Sequence, residues 1–397
     1  MKSSDKRLLS DLGEFGLIGR IRERFRVPEG VTGIGDDCAV LPQRSGRDTL
    51  VSTDMLIEGT HFLRADIPPY RLGWKSAAVN ISDIAAMGGS PTATFLSVAL
   101  PADLEAGWME EFLRGYAELS GRFGAALLGG DTTASPDRIC INVAVIGECP
   151  CGAARLRSLA REGDLVCVTG CLGDSAGGLK AILEGVERDA DVQTLIDRHY
   201  LPLPRVAEGL RLAATPGVHA MMDISDGIGS DLQHILDASS GGRAAAAGAG
   251  KRPRPAAEMQ LEGAYPPVPP YGPQAAFQLS HAKVTRPGRS ADADVYSIGA
   301  RIDLEKLPLS EELRRVCARL GWDAFQLAIG GGEDYELLFT CTPEAEQALD
   351  VPHTVIGEVT GRFRVKPGMT GREPGMTDIE WRGADRQFSG FDHFRKA

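Results

Sequence analysis

The chain has 397 residues, 43% of them hydrophobic and 24% charged, the balance of a soluble globular protein with room for two domains. Its formal net charge of −11 argues against non-specific nucleic-acid binding and against an anionic membrane surface. No run of about 18 apolar residues is present, so no membrane-spanning helix is expected.

In chain order, the first element predicted is a helix over residues 7–25, where Leu8, Leu9, Leu12, Phe15, Leu17, Ile18 and Ile21 recur near helical spacing. The N-terminus leads into this amphipathic stretch without an apolar signal core. Short runs at Cys38–Leu41 and Thr49–Thr53 read as strands. Leu72–Met87 reads as a helix whose packing stripe is Trp74, Ala77, Ala78, Ile81, Ile84, Ala85 and Gly88. Ser76, Asn80 and Asp83 fall on its opposite face, which is either solvated or aimed at a metal–phosphate cluster. A strand Thr92–Ala99, a helix Leu104–Phe123, a strand Ala125–Leu128 and a strand Ile139–Glu148 follow.

A second unit is expected to start near residue 150. It holds a strand Asp164–Thr169, a helix ending near Glu184, a strand Val218–Asp223, a helix Ile228–Ser239 and a strand Leu337–Cys341. Residues 243–297 hold eight of the 24 prolines and little periodicity, so they read as a poorly ordered surface insertion. The twice-repeated Pro-Gly-Met-Thr within 366–378 reads as another. The eight cysteines are scattered. Neither Cys149/Cys151 nor Cys167/Cys171 has a second pair or a nearby histidine, so they read as reduced thiols of a cytoplasmic protein and not as a zinc site.

The chemistry-bearing feature is a set of aspartates beside small residues, each read as a turn position: Asp36, Asp37, Asp54, Asp83, Asp131, Asp223 and Asp226. Carboxylates without histidine or cysteine companions suit hard cations, chiefly Mg²⁺. Any one of these segments alone is also an ordinary acidic turn, and Ser225 or Asp226 also reads as a helix cap. Together they point to metal-assisted phosphate chemistry. No P-loop is present; Gly173–Lys180 lacks the Gly-Lys-Ser/Thr ending. A nucleotide would then be held mainly through metals.

The combination resembles the thiamine-monophosphate kinases of the aminoimidazole ribonucleotide synthetase-like superfamily. The resemblance covers residues 13–240 and 299–394. It rests on Gly33–Val40, Ser52–Asp54, His61-Phe62, Val79–Gly88, Gly129–Thr132, Val168–Gly177, Asp223–Gly227, Gly299–Asp303, Gly331–Leu337 and Phe391–Phe394. It implies two domains with mixed sheets and flanking helices. Residues 1–150 would be an α/β unit for ATP and Mg²⁺, and residues 151–397 an α+β unit. It further implies a homodimer and ATP-dependent phosphorylation of thiamine monophosphate to thiamine diphosphate, the last step of thiamine diphosphate biosynthesis.

By position, the resemblance makes Asp37, Ser52, Thr53, Asp54, Asp83, Asp131, Asp223 and Asp226 the Mg²⁺ ligands. Gly130, Asp131, Arg157 and Ser225 match nucleotide contacts, and His61, Glu333 and Phe391 match substrate contacts. Asp83 and Arg157 are the residues expected to act on the transferring phosphoryl group, and Glu333 is expected to pair with the cationic thiamine moiety. Two other readings stay open: a sister enzyme using ATP on another acceptor, and an acidic metal-binding or scaffold protein.

Overall fold

The computed structural model describes residues 24–25, 45–240, 295–365 and 379–383. The expected helix 7–25 lies almost wholly outside the described residues. So do the strand Cys38–Leu41, residues Asp36, Asp37 and Phe391, residues 243–294 of the insertion and the Pro-Gly-Met-Thr repeats. The expected insertion is too long at its C-terminal end, because strand β7 already begins at Val295.

The first sheet has four strands in the order β1-β4-β2-β3. They are β1 (Arg47–Ile57), β2 (Ser90–Pro101), β3 (Ala126–Ser135) and β4 (Cys140–Pro150). Helices α1 (Pro69–Ala86) and α2 (Ala106–Arg122) cover one face. Every second residue of β4 is buried under them, through Ile141, Val143 and Val145. The two helices meet at glycines: a Cβ on Gly73 would lie 1.9 Å from the Phe112 carbonyl oxygen, and one on Gly115 1.8 Å from that of Tyr70. Only backbone fits at that crossing.

The second sheet has six strands in the order β10-β7-β9-β5-β8-β6. It comprises β5 (Leu165–Val168), β6 (Val218–Asp223), β7 (Val295–Asp303), β8 (Leu337–Cys341), β9 (Thr354–Val365) and β10 (Ile379–Arg382). Its helices are α3 (Asp174–Leu183), α4 (Ala190–Tyr200), α5 (Val206–Ala214), α6 (Ile228–Ser240), α7 (Glu311–Leu320), α8 (Ala324–Gly330) and α9 (Pro343–Gln347). Several starts are marked in the sequence by side-chain caps: Asp189, Ser310, Asp323 and Thr342 each accept a backbone amide of the first turn. Strand β8 is buried at all five positions, as a central strand covered on both faces requires. No described helix is long and apolar enough to cross a membrane.

Three local expectations are corrected. Asp54 and Asp131 do not sit at turns but inside β1 and β3, whereas Asp83 lies in α1, the helix expected to carry it. The strand expected to stop at Leu128 runs on to Ser135, because pairing with β2 continues through Asp131 to Ser135 and overrides the turn tendency of Gly-Gly-Asp. The face of α1 bearing Ser76 and Asn80 is not solvated; both are fully buried.

Candidate active site

Helix α1 crosses the molecule between the two sheets and presents Lys75, Val79 and Asp83 to a cavity of about 860 Å³. The three are spaced by four, so they share one helical face. Asn80 explains how β1 is held against this helix. Its side-chain oxygen accepts the Asp54 amide at 3.0 Å, and its nitrogen donates to the Ser76 carbonyl at 3.0 Å. Asn80 is therefore a clamp, not a group aimed at the cavity. The hydroxyl of Ser52 donates to Asp83 Oδ2 at 2.5 Å, joining strand and helix beside the same carboxylate.

The other wall comes from two loops that pair with each other. The Glu333 amide donates to the Ser225 carbonyl at 2.9 Å, the Tyr335 amide to that of Ile224 at 2.9 Å, and the Ile224 amide to that of Glu336 at 2.8 Å. Gly332 permits this contact, since a Cβ there would lie 2.0 Å from the Ser225 carbonyl oxygen. Glu333 and Tyr335 both adopt left-handed backbone, with φ of 63° and 52°. Such conformations cost about 1–3 kcal/mol each and mark positions that surrounding structure enforces.

Asp54, Asp83, Asp223, Ser225 and Asp226 line one end of the cavity, and Glu333 and His61 line it further along. Burial, reinforced by Asp83, raises the Asp54 carboxyl to about 6. The same two causes raise Asp223 to about 7, while Ser82 donates to it at 2.6 Å. Burial also raises Asp83, against the Ser52 hydrogen bond and the Arg157 guanidinium, which both lower it. Arg157 thus acts electrostatically on Asp83 and Asp223, although it does not line the cavity. His61 Nδ1 accepts the Ile57 amide at 3.0 Å, which leaves its proton on Nε2.

Two expected ligands are placed elsewhere. Thr53 faces away from α1; its hydroxyl accepts from Asn142 at 2.9 Å. Asp131 pairs in register with Ser97, and Ser97 with Asn142, so Asp131 shares that open face of the sheet. Neither lines the cavity, and nor does Gly130, whose φ of 153° and close approach to the Leu96 carbonyl oxygen, 1.7 Å from a built Cβ, require glycine. The ligand set read from sequence is thus divided between the two faces of one sheet.

Three residues of the site are given no role in the sequence reading. Lys75 is buried and forms an ion pair with Glu333 at 2.9 Å. His199 lies beside both. Tyr335 sits between the two ends: burial raises its hydroxyl well above the usual range, and Glu333, Asp54, Asp223 and Asp83 push the same way. The expectation that Glu333 awaits a cationic ligand is therefore altered, since its charge is already met by Lys75.

At both helix starts beside the site a carboxylate of the chain takes two of the backbone amides. The Gly173 and Ser175 amides at the head of α3 donate to Asp334, at 2.7 and 3.3 Å. At the head of α6, the Ser225 and Asp226 amides donate to Asp231, at 3.1 and 3.2 Å. Among the described residues no three His, Cys, Asp or Glu side chains converge on a single enclosed ion position. The donor set nonetheless fits Mg²⁺, which is usually held by one or two carboxylates plus phosphates and water. All its members are oxygen ligands, and burial together with Asp83 disfavours the charge of Asp54 and Asp223, which a bound cation would offset.

Comparison with known proteins gives the family. Residues 35–149 match the family described as AIR synthase related protein, N-terminal domain. A thiamine-monophosphate kinase of Escherichia coli O157:H7 is 34% identical over 394 residues, covering 96% of this chain and 98% of that one. The chain belongs to the thiamine-monophosphate kinase family. Among solved structures, that of thiamine-monophosphate kinase from Stenotrophomonas maltophilia K279a superposes with a TM-score of 0.68 at 31% identity, covering 94% of this chain and 97% of that one. AaThiL complexed with AMPPCP and TMP gives 0.66 at 30% identity, with 98% and 100% covered. The fold is the AIR synthase-like fold expected from the sequence, and the chain is an enzyme of this kinase family.

Proposed function

We propose that the chain transfers the γ-phosphoryl group of ATP directly, in line, to the phosphate of thiamine monophosphate, giving thiamine diphosphate. The observation that carries this is the division of one cavity along α1: uncompensated carboxylates around Asp83 and a compensated carboxylate at Glu333. Several Mg²⁺ ions bound by Asp54, Asp83, Asp223 and Asp226, with Asp37, would screen the repulsion between the two phosphate groups. Ser52 holds Asp83 in place. Arg157, with Ser225, is assigned to the nucleotide, and its guanidinium also stabilises charge on the transferring group. His61, Glu333 and Phe391 are assigned to the thiamine moiety.

The acceptor phosphate is already ionised at neutral pH, so no general base is required of the chain. The division at residue 150 into a nucleotide unit and a C-terminal unit belongs to the same reading; one sheet ends at Pro150 and the next begins at Leu165. A homodimer through the open face of the first sheet is also proposed, since Val51 and Met55 stand 69% and 53% exposed there beside Thr53. A cytoplasmic location accords with seven free cysteines among the described residues.

The test is product formation from thiamine monophosphate, ATP and Mg²⁺, with free thiamine as control. Thiamine diphosphate should form only with Mg²⁺, and free thiamine should be refused because its hydroxyl lacks the charge the metals hold. Comparable turnover of free thiamine would overturn the mechanism, and turnover of a different acceptor alone would move the chain to a sister activity.

A further inference from the structure

The thiamine end of the cavity contains a buried charge pair that phosphoryl transfer does not use. Lys75 is 1% exposed. An ammonium so placed costs several kcal/mol unless its hydrogens are met. Two partners meet them: Glu333 Oε2 at 2.9 Å and His199 Nε2 at 3.5 Å. Burial and Lys75 hold the His199 imidazole well below its usual range, so the ring is neutral. An ammonium only donates, so Nε2 accepts and the ring proton lies on Nδ1, 2.9 Å from Ser175 Oγ and 3.4 Å from Glu333 Oε2. Helices α1, α3 and α4 thereby fix one oxygen of Glu333.

The other oxygen is available. Glu333 lines the cavity with its side chain 28% exposed, and among the described residues Oε1 makes no hydrogen bond. Its backbone is held at φ 63° by the bond to Ser225. Eight residues separate Lys75 from Asp83 on the same helix face, about 12 Å at 1.5 Å per residue. That separation matches the span from a phosphate to the far ring of a two-ring heterocycle. An unpaired carboxylate at this distance would compete for divalent cations with the acidic end.

We propose that Lys75 is a positioning and specificity residue. It holds Oε2 of Glu333, cancels its charge, and leaves Oε1 as an acceptor for an N–H donor on the heterocyclic end of the substrate. The inference rests on the thiamine monophosphate reading, in which the donor is the exocyclic amine of the aminopyrimidine.

The experiment is a double-mutant cycle on the full chain, with thiamine monophosphate and ATP varied separately. Wild type, Lys75→Met, Glu333→Gln and the double variant are compared. Each single change should raise KM for thiamine monophosphate about tenfold or more, the loss of a charge-assisted hydrogen bond, while KM for ATP stays within about twofold. The double variant should be no worse than the worse single, because both changes act through one carboxylate. Additive losses overturn the proposal, as does an unchanged KM in Lys75→Met or an equal rise in KM for ATP. Should Lys75→Met fail to fold, Glu333→Gln is compared with the double variant; equal KM values support the proposal and a further tenfold rise overturns it. No product from folded wild type removes the functional reading and this inference together. Product with additive losses removes this inference alone.

Discussion

Along one face of α1, Asp83 and Lys75 stand about two turns apart and meet opposite surroundings. Around Asp83, burial first and the Asp83 carboxylate second raise Asp54 to about 6 and Asp223 to about 7. Around Lys75, a carboxylate and a neutral imidazole meet the ammonium directly. The first end is rich in buried carboxylates that Arg157 only partly offsets, and on the proposed reading Mg²⁺ would complete the balance. The second end is balanced within the chain and can act only by shape and hydrogen bonding. On the proposed reading, one helix thus carries an ion site to be loaded and a recognition site that is built in.

The change expected to break this contrast most completely is Asp83→Asn. It removes the carboxylate that raises both Asp54 and Asp223. Turnover should fall about 10³-fold or more, as for loss of a group acting on transition-state charge. The melting temperature of the metal-free protein should rise, because one buried, uncompensated charge is gone. Loss of both activity and stability would show instead that Asp83 holds the fold.

Next comes Gly332→Ala. The added Cβ would meet the Ser225 carbonyl oxygen at 2.0 Å, so the two loops must part. Both ends of the cavity depend on that contact: Ser225 and Asp226 on one loop, Glu333 and Tyr335 on the other. A loss of about 10²-fold in kcat/KM is expected, shared between the KM values of both substrates. A normal enzyme would mean that the loops are not held in register by this approach.

The acidic end also predicts a pH dependence with a definite sign. In metal-free protein, Asp54 titrates at about 6, Asp223 at about 7 and Asp231 at about 8, all raised first by burial. Unfolded aspartates titrate near pH 4. The folded state therefore binds more protons between about pH 4 and 8, and stability falls as pH rises through that window. Each tenfold difference in proton affinity between folded and unfolded chain is worth about 1.4 kcal/mol, so the fall is large enough to be read from melting curves. Melting curves in EDTA should show it, and Mg²⁺ should flatten it. A melting temperature that climbs from pH 5 to 8 in EDTA would contradict the raising of these carboxyls.

These contrasts are unevenly legible in the sequence. The strand Val218–Asp223 and the helix bearing Asp83 are readable because apolar period and flanking small residues agree locally. Asp131 reads wrongly as a turn residue because strand pairing with β2 is non-local and overrides the Gly-Gly-Asp tendency. Lys75 escapes the sequence reading for a similar reason: its partner Glu333 lies 258 residues away. The available signal is a single charged residue in the run Leu72–Ser82, otherwise uncharged. A lysine within a helix stretch buried all round must be paired, whatever its partner.

The smallest effect expected is that of Ser52→Ala. The hydroxyl donates to Asp83 Oδ2 at 2.5 Å and opposes the effect of burial on that carboxyl. Its loss should raise the Asp83 carboxyl further and free its rotamer. A bound cation can re-impose both charge and orientation, so the cost should appear mainly as a weaker requirement met at higher Mg²⁺. The concentration of Mg²⁺ for half-maximal rate should rise about three- to tenfold, the size of one hydrogen bond, while the rate at saturating Mg²⁺ stays within about threefold. At the balanced end no such rescue is possible, since Lys75 and Glu333 bind no exchangeable ion. If excess Mg²⁺ fails to restore Ser52→Ala, the hydroxyl contributes to the reaction itself and not to loading the acidic end.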